Sequence, residues 1–262
     1  MNSLLRVENL RVVFSSGSGP VIALDGVCLD VAAGELVGIL GESGSGKTTL
    51  GLSLLSLVPP NGCASGSIRY RGRELLTLNE DQLERIRGAE ISMIFQEPAL
   101  TLHPTLTVGE QVADIVRAHS ACNRRRSREQ AECALTQVRL NGVRRICGAY
   151  PHQLSGGERR RVAIAQALVS KPSLLIADEP TASLDTIVQV EVLTLLRDLN
   201  KRLGVAMLLI SHDPSVLAGL ASRLLVLSSG RIVEQGPPGE VFRNPKHEYT
   251  RLFARCVPQR LG

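Results

Sequence analysis

Residues 41–48 read Gly-Glu-Ser-Gly-Ser-Gly-Lys-Thr, so that three glycines precede a lysine and a hydroxyl side chain. Glycines allow backbone N–H groups to turn toward a polyphosphate without a Cβ in the way. The ammonium of Lys47 can reach the outer phosphates, and the hydroxyl of Thr48 can ligate Mg²⁺. The segment therefore predicts a nucleoside triphosphate site, and the alternative is a glycine-rich turn that matches by chance.

Two elements must position this loop. The apolar run Leu36–Leu40 predicts a buried strand before it, and residues 49–55 predict a helix after it. A helix that begins near Lys47 adds the positive end of its dipole to the phosphate site. Strand, glycine loop and helix in this order are the context that phosphate binding requires.

A pair of acids follows a second apolar run, residues 174–177. Asp178 and Glu179 would lie at the carboxyl end of a parallel strand, where open α/β sheets place their ligands. Asp178 suits Mg²⁺, directly or through water, and Glu179, on the other face of the pleat, can act as general base on a water. A surface acidic pair that closes a strand is the alternative.

Residues 154–158 read Leu-Ser-Gly-Gly-Glu. Ser155 and Glu158 have the spacing of a capping box, which predicts that a helix begins here. Two glycines in its first turn would leave N–H groups uncovered and able to approach a phosphate. An ordinary capped helix is the alternative.

The remaining sequence indicates how these segments are organised. Residues 4–14 and 27–31 alternate apolar and polar side chains, which predicts strands with one buried face. Strand and helix signals alternate from residue 174 to 235, which predicts a parallel sheet with helices on both faces. Residues 107–161 are polar and helical in periodicity, and Ser127 with Gln130 predicts a capping box there.

Composition narrows the function classes. Hydrophobic residues at 44% and charged residues at 21% are typical of a globular protein, and no apolar stretch is long enough to cross a bilayer. We also find no signal-peptide pattern, so a membrane role would act through a partner. The net charge of +5 fits an anionic membrane surface or nucleic acid without selecting either. The arginine runs 124–126 and 159–161 lack interleaved aromatics, which favours solvated helix faces over nucleic-acid binding.

Six motifs occur in the order and approximate spacing of the nucleotide-binding subunit of ABC transporters, which the chain resembles over nearly its whole length. The motifs are the phosphate loop, Gln96, residues 154–158, residues 177–180, residues 183–185 and His212. The resemblance implies an α/β fold with a P-loop (RecA-like), mainly parallel sheet core, an antiparallel β edge and an inserted α-helical subdomain. Residues 1–262 would form one such domain, with an ATP-binding core (1–96 and 162–235), a helical subdomain (97–161) and a C-terminal helical extension (236–262).

The resemblance also implies the cofactors ATP and Mg²⁺ and a role for each site residue. The catalytic residues would be Glu179, His212, Gln96 and Lys47, and the metal ligands Thr48, Gln96 and Asp178. ATP contacts are expected from Phe14, Gly41, Glu42, Ser43, Gly44, Ser45, Gly46, Lys47, Thr48, Thr49, Gln96, Ser155, Gly156, Gly157, Glu158 and Asp185. Phe14 matches an aromatic that stacks on adenine, although a single Phe in a strand is more often core.

Several of these roles involve a second molecule. The resemblance implies that Ser155 and Gly157 complete the partner's site, so that two domains sandwich two ATP molecules head to tail. Asp185 resembles the acid that communicates between the two subunits, and His212 the histidine that contacts the terminal phosphate. Gln96 would link the site to the helical subdomain.

Two segments resemble one branch of the family, the dipeptide, oligopeptide and nickel importers: residues 96–110 and 244–250. The chain departs from the family pattern at Glu158, where Gln is usual, and in a short tail with Cys256 alone. The implied function is the ATPase subunit of an importer at the cytoplasmic face of the membrane. Its partners would be transmembrane permease subunits, a second ATPase subunit and an extracytoplasmic solute-binding protein, with no nucleic acid. The alternative is an ABC ATPase that acts as a mechanical clamp on nucleic acid or ribosomes.

Overall fold

The computed structural model describes residues 3–17, 19–97 and 101–257. The chain divides into two compact units, one formed by residues 1–83 and 206–262 and the other by residues 84–205. In the part of the chain that is described, no helix combines the length and the apolar character needed to span a membrane.

The first unit contains an antiparallel sheet. Its strands are β1 (Leu5–Ser16), β2 (Gly19–Val31), β4 (Gly62–Tyr70) and β5 (Arg73–Glu74), in the order β2-β1-β4-β5. Alternate residues of β1 are buried, as expected for strands with one face on the core. The predicted β edge is therefore present, and both N-terminal strands are longer than their alternating segments indicated.

The same unit contains parallel strands that lead to the phosphate loop. Strand β3 (Leu36–Leu40) lies between β8 (Ala206–Ser211) and β9 (Arg223–Ser228) and is parallel to both, while β10 (Arg231–Gly236) is antiparallel to β9. Every residue of β3 and β8 is buried, which explains their continuous apolar sequences.

Short helices complete this unit. They are α1 (Lys47–Ser53), a 3₁₀ turn (Leu75–Thr77), α8 (Pro214–Ala218), α9 (Pro238–Arg243) and α10 (Glu248–Ala254). Helix α2 (Glu80–Ile86) runs across the sequence boundary between the two units. The short helices expected after residue 236 are thus α9 and α10.

The second unit combines two parallel strands with most of the helices. Strands β6 (Ile91–Ile94) and β7 (Leu174–Asp178) pair in parallel. The helices are α3 (Val108–His119), α4 (Arg124–Gln137), α5 (Val143–Gly148), α6 (Gly156–Leu168) and α7 (Thr186–Leu203), with a 3₁₀ turn at Pro151–Gln153. Helix α7 begins after Asp185 and ends at Gly204, which adopts the left-handed conformation with φ of +65°.

The capping box predicted at Ser127 is wrong. Helix α4 begins at Arg124, and its N-cap is Asn123, whose side-chain oxygen accepts the N–H of Arg126 at 2.9 Å. Ser127 is buried in the first turn, where its hydroxyl donates to the carbonyl of Arg124. Asn caps a helix as well as Ser does. Because Asn123 is the cap, the helix begins about one turn earlier than predicted.

Candidate nucleotide-binding site

The phosphate loop connects β3 to α1, and its glycines adopt conformations that other residues disfavour. Gly44 has a φ of +81° and Gly46, the N-cap of α1, a φ of +104°. A Cβ on Gly46 would lie 2.5 Å from the carbonyl oxygen of Ala23 on β2, whereas nothing lies within 4 Å of one on Gly44. Gly46 thus permits close packing against β2. At Gly44, in contrast, no protein atom lies close to the position that a Cβ would take.

The other end of the loop packs against β9 and the turn between β9 and β10. A Cβ on Gly41 would overlap the carbonyl oxygen of Leu227 and lie 2.5 Å from the Ser45 hydroxyl. The N–H of Gly230 donates to the carbonyl of Ser45 at 3.0 Å. The loop is therefore held in a fixed shape by strands that are distant in sequence. The motif itself did not predict these contacts.

Lys47 lies inside the loop, where it is 7% exposed. Its ammonium donates to the carbonyls of Gly41 and Glu42, each at 2.7 Å. Thr48 follows in the first turn of α1 and is exposed. The N-cap of α1 is Gly46, and no side-chain cap bonds to the first turn. The N–H groups of a helix N-terminus suit an acceptor such as a phosphate oxygen.

The first unit also carries Phe14 and His212. Phe14 is half-buried on β1, opposite Val21 of β2, and its ring lies so close to Gly62 that a Cβ there would be 2.6 Å away. His212 is exposed directly after β8. The next residue, Asp213, caps α8 by accepting the N–H of Ser215 at 2.8 Å. Adenine stacking by Phe14 and phosphate contact by His212 stay predictions.

The acidic pair lies in the second unit at the end of β7. Asp178 is the last residue of the strand and is 2% exposed, and Glu179 is 8% exposed. Glu179 has a φ of +45°, which is rare for a residue with a side chain, and its carbonyl accepts the N–H of Ala182 at 3.0 Å. Since β7 ends at Asp178, the expected alternation of the pleat does not orient Glu179. Strain of this kind clusters at functional sites, and no feature of the sequence indicated it.

Gln96 is exposed after β6, and its backbone is held by an arginine that the sequence did not single out. Arg160 of α6 donates to the carbonyls of Phe95, Gln96 and Ala182 at 3.2, 2.9 and 3.3 Å. It is 2% exposed, and burial lowers its pKa to about 10. Arg160 thus joins the Gln96 segment to the turn after Glu179.

The expectation of solvated arginines holds for one run and fails for the other. Residues 124–126 are exposed, whereas Arg160 is buried and Arg161, whose side chain is 13% exposed, pairs with Glu191 at 2.7 Å. Helix α6 packs on several sides, so these two guanidinium groups find carbonyl or carboxylate partners in place of water.

The capping box predicted at Ser155 is confirmed. Its hydroxyl accepts the N–H of Glu158 at 3.2 Å, and the Glu158 carboxylate accepts the N–H of Ser155 at 2.9 Å. The other carboxylate oxygen pairs with Arg145. The hydrogen bond from the Ser155 N–H holds the pKa of Glu158 below its usual value, and the Arg145 contact lowers that pKa by a smaller amount. The carboxylate of Glu158, which stands where the family usually has Gln, thus makes both the contact to Ser155 and the contact to Arg145.

Asp185 is the exposed N-cap of α7. Its carboxylate accepts the N–H of Val188 at 3.0 Å, a contact that fixes the start of the helix. Near it, a Cβ on Gly157 would lie 3.1 Å from the Val188 side chain. Within the second unit, the segment with two glycines and the start of α7 are therefore neighbours.

Each unit therefore brings together a definite part of the predicted site. The first holds Phe14, the phosphate loop and His212; the second holds Gln96, Ser155, Gly156, Gly157, Glu158, Asp178, Glu179 and Asp185. A strand, a glycine loop with an inward lysine and a helix with an uncapped first turn define a P-loop nucleoside triphosphatase.

Comparison with known proteins makes the assignment specific. A family model described as ABC transporter matches residues 24–182, and the chain belongs to that family. It is 42% identical over 266 residues to a putative peptide import ATP-binding protein of Brucella abortus (strain 2308), covering 99% of this chain and 78% of the relative. It is 41% identical to the oligopeptide transport ATP-binding protein OppD of Escherichia coli (strain K12), covering 98% and 77%.

Solved structures agree with this assignment. The dimeric post-hydrolysis state of the ATP-binding cassette MJ0796, bound to ADP and Pi, matches with a TM-score of 0.80 and 30% identity over 89% of this chain and 98% of that one. CbiO1 from Clostridium perfringens matches with a TM-score of 0.79 and 29% identity over 93% and 92%. The expected family, fold class and ATPase activity are confirmed, and the transport interpretation is favoured over a clamp on nucleic acid or ribosomes.

Proposed function

We propose that the chain hydrolyses ATP to drive import of peptides through an ABC transporter. The peptide substrate is supported by the two relatives above, which match nearly the whole chain and are named for peptide import and oligopeptide transport. Its partners are transmembrane permease subunits and an extracytoplasmic solute-binding protein, and it acts at the cytoplasmic face of the membrane. The resemblance of residues 96–110 and 244–250 to importers of this branch supports the same assignment.

The proposed triphosphate site is supported by the shape of the loop. Gly44 is open, Lys47 points inward, and the first turn of α1 is uncapped, so a polyphosphate meets N–H donors and an ammonium. Thr48, Gln96 and Asp178 supply only oxygen ligands, as Mg²⁺ prefers. The described residues hold no group of three His, Cys, Asp or Glu side chains suited to a metal. Bound Mg²⁺ would neutralise charge that develops on the phosphates.

The remaining residues have distinct proposed roles. Glu179 accepts the proton of the attacking water at its carboxylate, and Gln96 and His212 orient the water and the terminal phosphate. Phe14 stacks on adenine. Ser155 and Gly157, with their neighbours in the capped first turn of α6, bind the ATP held by a second ATPase subunit arranged head to tail. The proposed domain boundaries are those of the sequence analysis: a core of 1–96 and 162–235, a helical subdomain of 97–161 and an extension of 236–262.

The first test separates binding from hydrolysis. Glu179→Gln keeps the size of the side chain but removes the base, so we expect normal ATP binding and a loss of hydrolysis of about 10²–10⁴-fold. Binding is measured by calorimetry and turnover by phosphate release. Glu129→Gln, which removes an exposed carboxylate on α4, is the matched control and should behave as wild type. Undiminished hydrolysis in Glu179→Gln would refute its role as base.

The second test concerns the transported solute. The chain is reconstituted in vesicles with the permease subunits of its transporter, and ATP-dependent uptake of labelled oligopeptides is compared with uptake of Ni²⁺. Peptide uptake that stops in Glu179→Gln is the expected result. Uptake of Ni²⁺ alone would keep the importer but reject the peptide, and tight nucleic-acid binding at physiological salt with no uptake would favour the clamp.

A further inference from the structure

The C-terminal helix of the described chain contacts the phosphate loop through one hydroxyl. The N–H of Glu42 donates to the phenol oxygen of Tyr249 at 2.6 Å, across a sequence separation of 207 residues. Tyr249 lies in the first turn of α10, whereas Glu42 is the second residue of the loop. Both belong to the same compact unit.

This contact adds to a second one on the same residue of the loop. The carbonyl of Glu42 accepts the ammonium of Lys47 at 2.7 Å. The backbone of Glu42 is therefore held on both sides, by Tyr249 at its N–H and by Lys47 at its carbonyl. Because Glu42 is exposed, its N–H would face water without the tyrosine, and the loop would lose one of its fixed points.

Tyr249 is itself held firmly. The imidazole of His247 caps α10 by accepting the N–H of Tyr249 at 3.2 Å. The backbone N–H groups of Lys246 and His247 each donate to the carboxylate of Glu234 on β10 at 3.0 Å. Phe253, one turn further along α10, packs its ring edge-to-face against Tyr249 with a centroid distance of 5.0 Å.

These supports give the phenol a defined position and state. The segment before α10 is tied through Glu234 to a strand of the sheet, so Tyr249 is presented from a fixed element. Burial raises the pKa of Tyr249, with a smaller opposing effect of the Glu42 N–H and a smaller raising effect of the Glu42 charge. The side chain is thus a neutral phenol at neutral pH, and its oxygen accepts the Glu42 N–H.

We propose that Tyr249 is a positioning residue for the phosphate loop, through which the C-terminal segment sets the affinity for ATP. The inference rests on the proposed function, because it requires that the loop bind a triphosphate. Tyr249 preorganises the Glu42 backbone, and hence the carbonyl that orients Lys47, before the nucleotide arrives. Preorganisation of this kind lowers the cost of ordering a binding site and acts on affinity.

Tyr249→Phe tests the proposal with the smallest change, since it removes only the hydroxyl. We expect Kd and KM for ATP to rise about three- to tenfold, as for loss of one hydrogen bond, with kcat at saturating ATP unchanged. Hydrogen exchange of the Glu42 amide should accelerate by a similar factor in the nucleotide-free protein. A general loss of stability would not raise exchange selectively at that amide.

Two controls make the result specific. Tyr150→Phe makes the same change at a tyrosine of the second unit and should leave ATP affinity and Glu42 exchange as in wild type. Phe253→Leu loosens the ring contact but keeps the hydroxyl, so its effect on affinity should be smaller than that of Tyr249→Phe. Unchanged affinity and Glu42 exchange in Tyr249→Phe, while wild type binds ATP, would overturn the proposal for Tyr249 alone. Failure of wild type to bind ATP would overturn the proposed function.

Discussion

The site residues of this chain depend on backbone that is fixed from outside the motifs. Lys47 is buried in the phosphate loop and held by two carbonyls, and one of these belongs to Glu42, which Tyr249 also contacts. The glycines at both ends of the loop pack against carbonyls of β2 and β9. Lys47, which is proposed to contact the outer phosphates, is thus held by backbone groups of the loop, and the loop is in turn held by Tyr249, β2 and β9.

Replacing Lys47 tests the loop at the scale of one residue. Lys47→Ala removes the ammonium that would contact the outer phosphates, a charged hydrogen bond of about 1.5–3 kcal/mol. We therefore expect ATP affinity to fall about ten- to a hundredfold, measured by calorimetry. Lys201→Ala, at an exposed position of α7, is the control and should bind as wild type. Normal affinity in Lys47→Ala would contradict the role of the loop.

At the residue scale, the residue types identified the phosphate loop, but the sequence did not predict the backbone conformations within the proposed site. The spacing of glycine, lysine and threonine identified the loop, because those types have few substitutes there. The positive φ of Glu179 could not be predicted, since it depends on the turn that Ala182 closes. The hydroxyl of Tyr249 was equally hidden, since it is distant in sequence from the loop it contacts.

Among the elements, helix α6 contributes both the capped segment at its start and the buried Arg160. Its N-terminus is the confirmed capping box of Ser155 and Glu158, and one turn later Arg160 reaches the carbonyls of Gln96 and Ala182. A buried guanidinium is costly, and burial lowers its pKa to about 10. A residue kept at such a cost has a structural or functional reason, and here it joins two segments of the proposed catalytic machinery.

Replacing Arg160 tests this link. Arg160→Met leaves the three carbonyls without their donors, so the Gln96 segment and the turn after Glu179 lose a common support. We expect kcat to fall about tenfold or more with little change in Kd for ATP, because Lys47 and the phosphate loop are not part of the link. Steady-state ATPase assays and calorimetry separate the two quantities.

The control for this experiment lies one residue earlier. Arg159→Met changes the same side-chain type on the same helix, but the Arg159 side chain donates to the carbonyl of Pro151, at 3.5 Å, and not to those of Gln96 and Ala182, so kcat should change little. Thermal unfolding of both variants shows whether they remain folded. Equal kcat values in Arg160→Met and Arg159→Met would reject the link.

Periodicity predicted the elements well where burial decides them. The helix Thr186–Leu203 lies within the alternating strand and helix signals of residues 174–235, and its bounds are set by Asp185, which caps its start, and Gly204, which ends it. The strand ending in Asp178 was equally clear from its apolar run. The capping box predicted at Ser127 was wrong because Asn123 provides an equivalent cap earlier in the chain. The prediction that Arg160 is solvated was wrong because a run of arginines does not reveal which face of a helix is buried.

For the whole molecule, the predicted site residues divide between two compact units. By the family resemblance, a complete site also needs residues of a second ATPase subunit, either another copy of this chain or a different subunit. Ser155 and Gly157 are expected to serve the nucleotide of a partner. Ile187 and Val190, which flank the Val188 neighbour of Gly157 on α7, are 75% and 59% exposed. The similar cassette MJ0796 is described as dimeric with ADP and Pi bound.

Oligomeric state tests this expectation directly. Glu179→Gln is expected to bind ATP without hydrolysing it, so any assembly that ATP stabilises should persist in this variant. A ligand that binds across two molecules stabilises the dimer by mass action and leaves the monomer unaffected. We therefore expect a monomer without nucleotide and a dimer with Mg²⁺ and ATP, measured by light scattering after size exclusion.

The control is Lys47→Ala combined with Glu179→Gln, which should remain monomeric because it binds ATP weakly. A dimer that forms only with nucleotide in the single variant would show that this chain supplies both halves of the sandwich. A monomer with ATP demonstrably bound would reject self-association. The Ser155 segment of this chain would then serve a different ATPase subunit, and purification of the intact transporter would identify it.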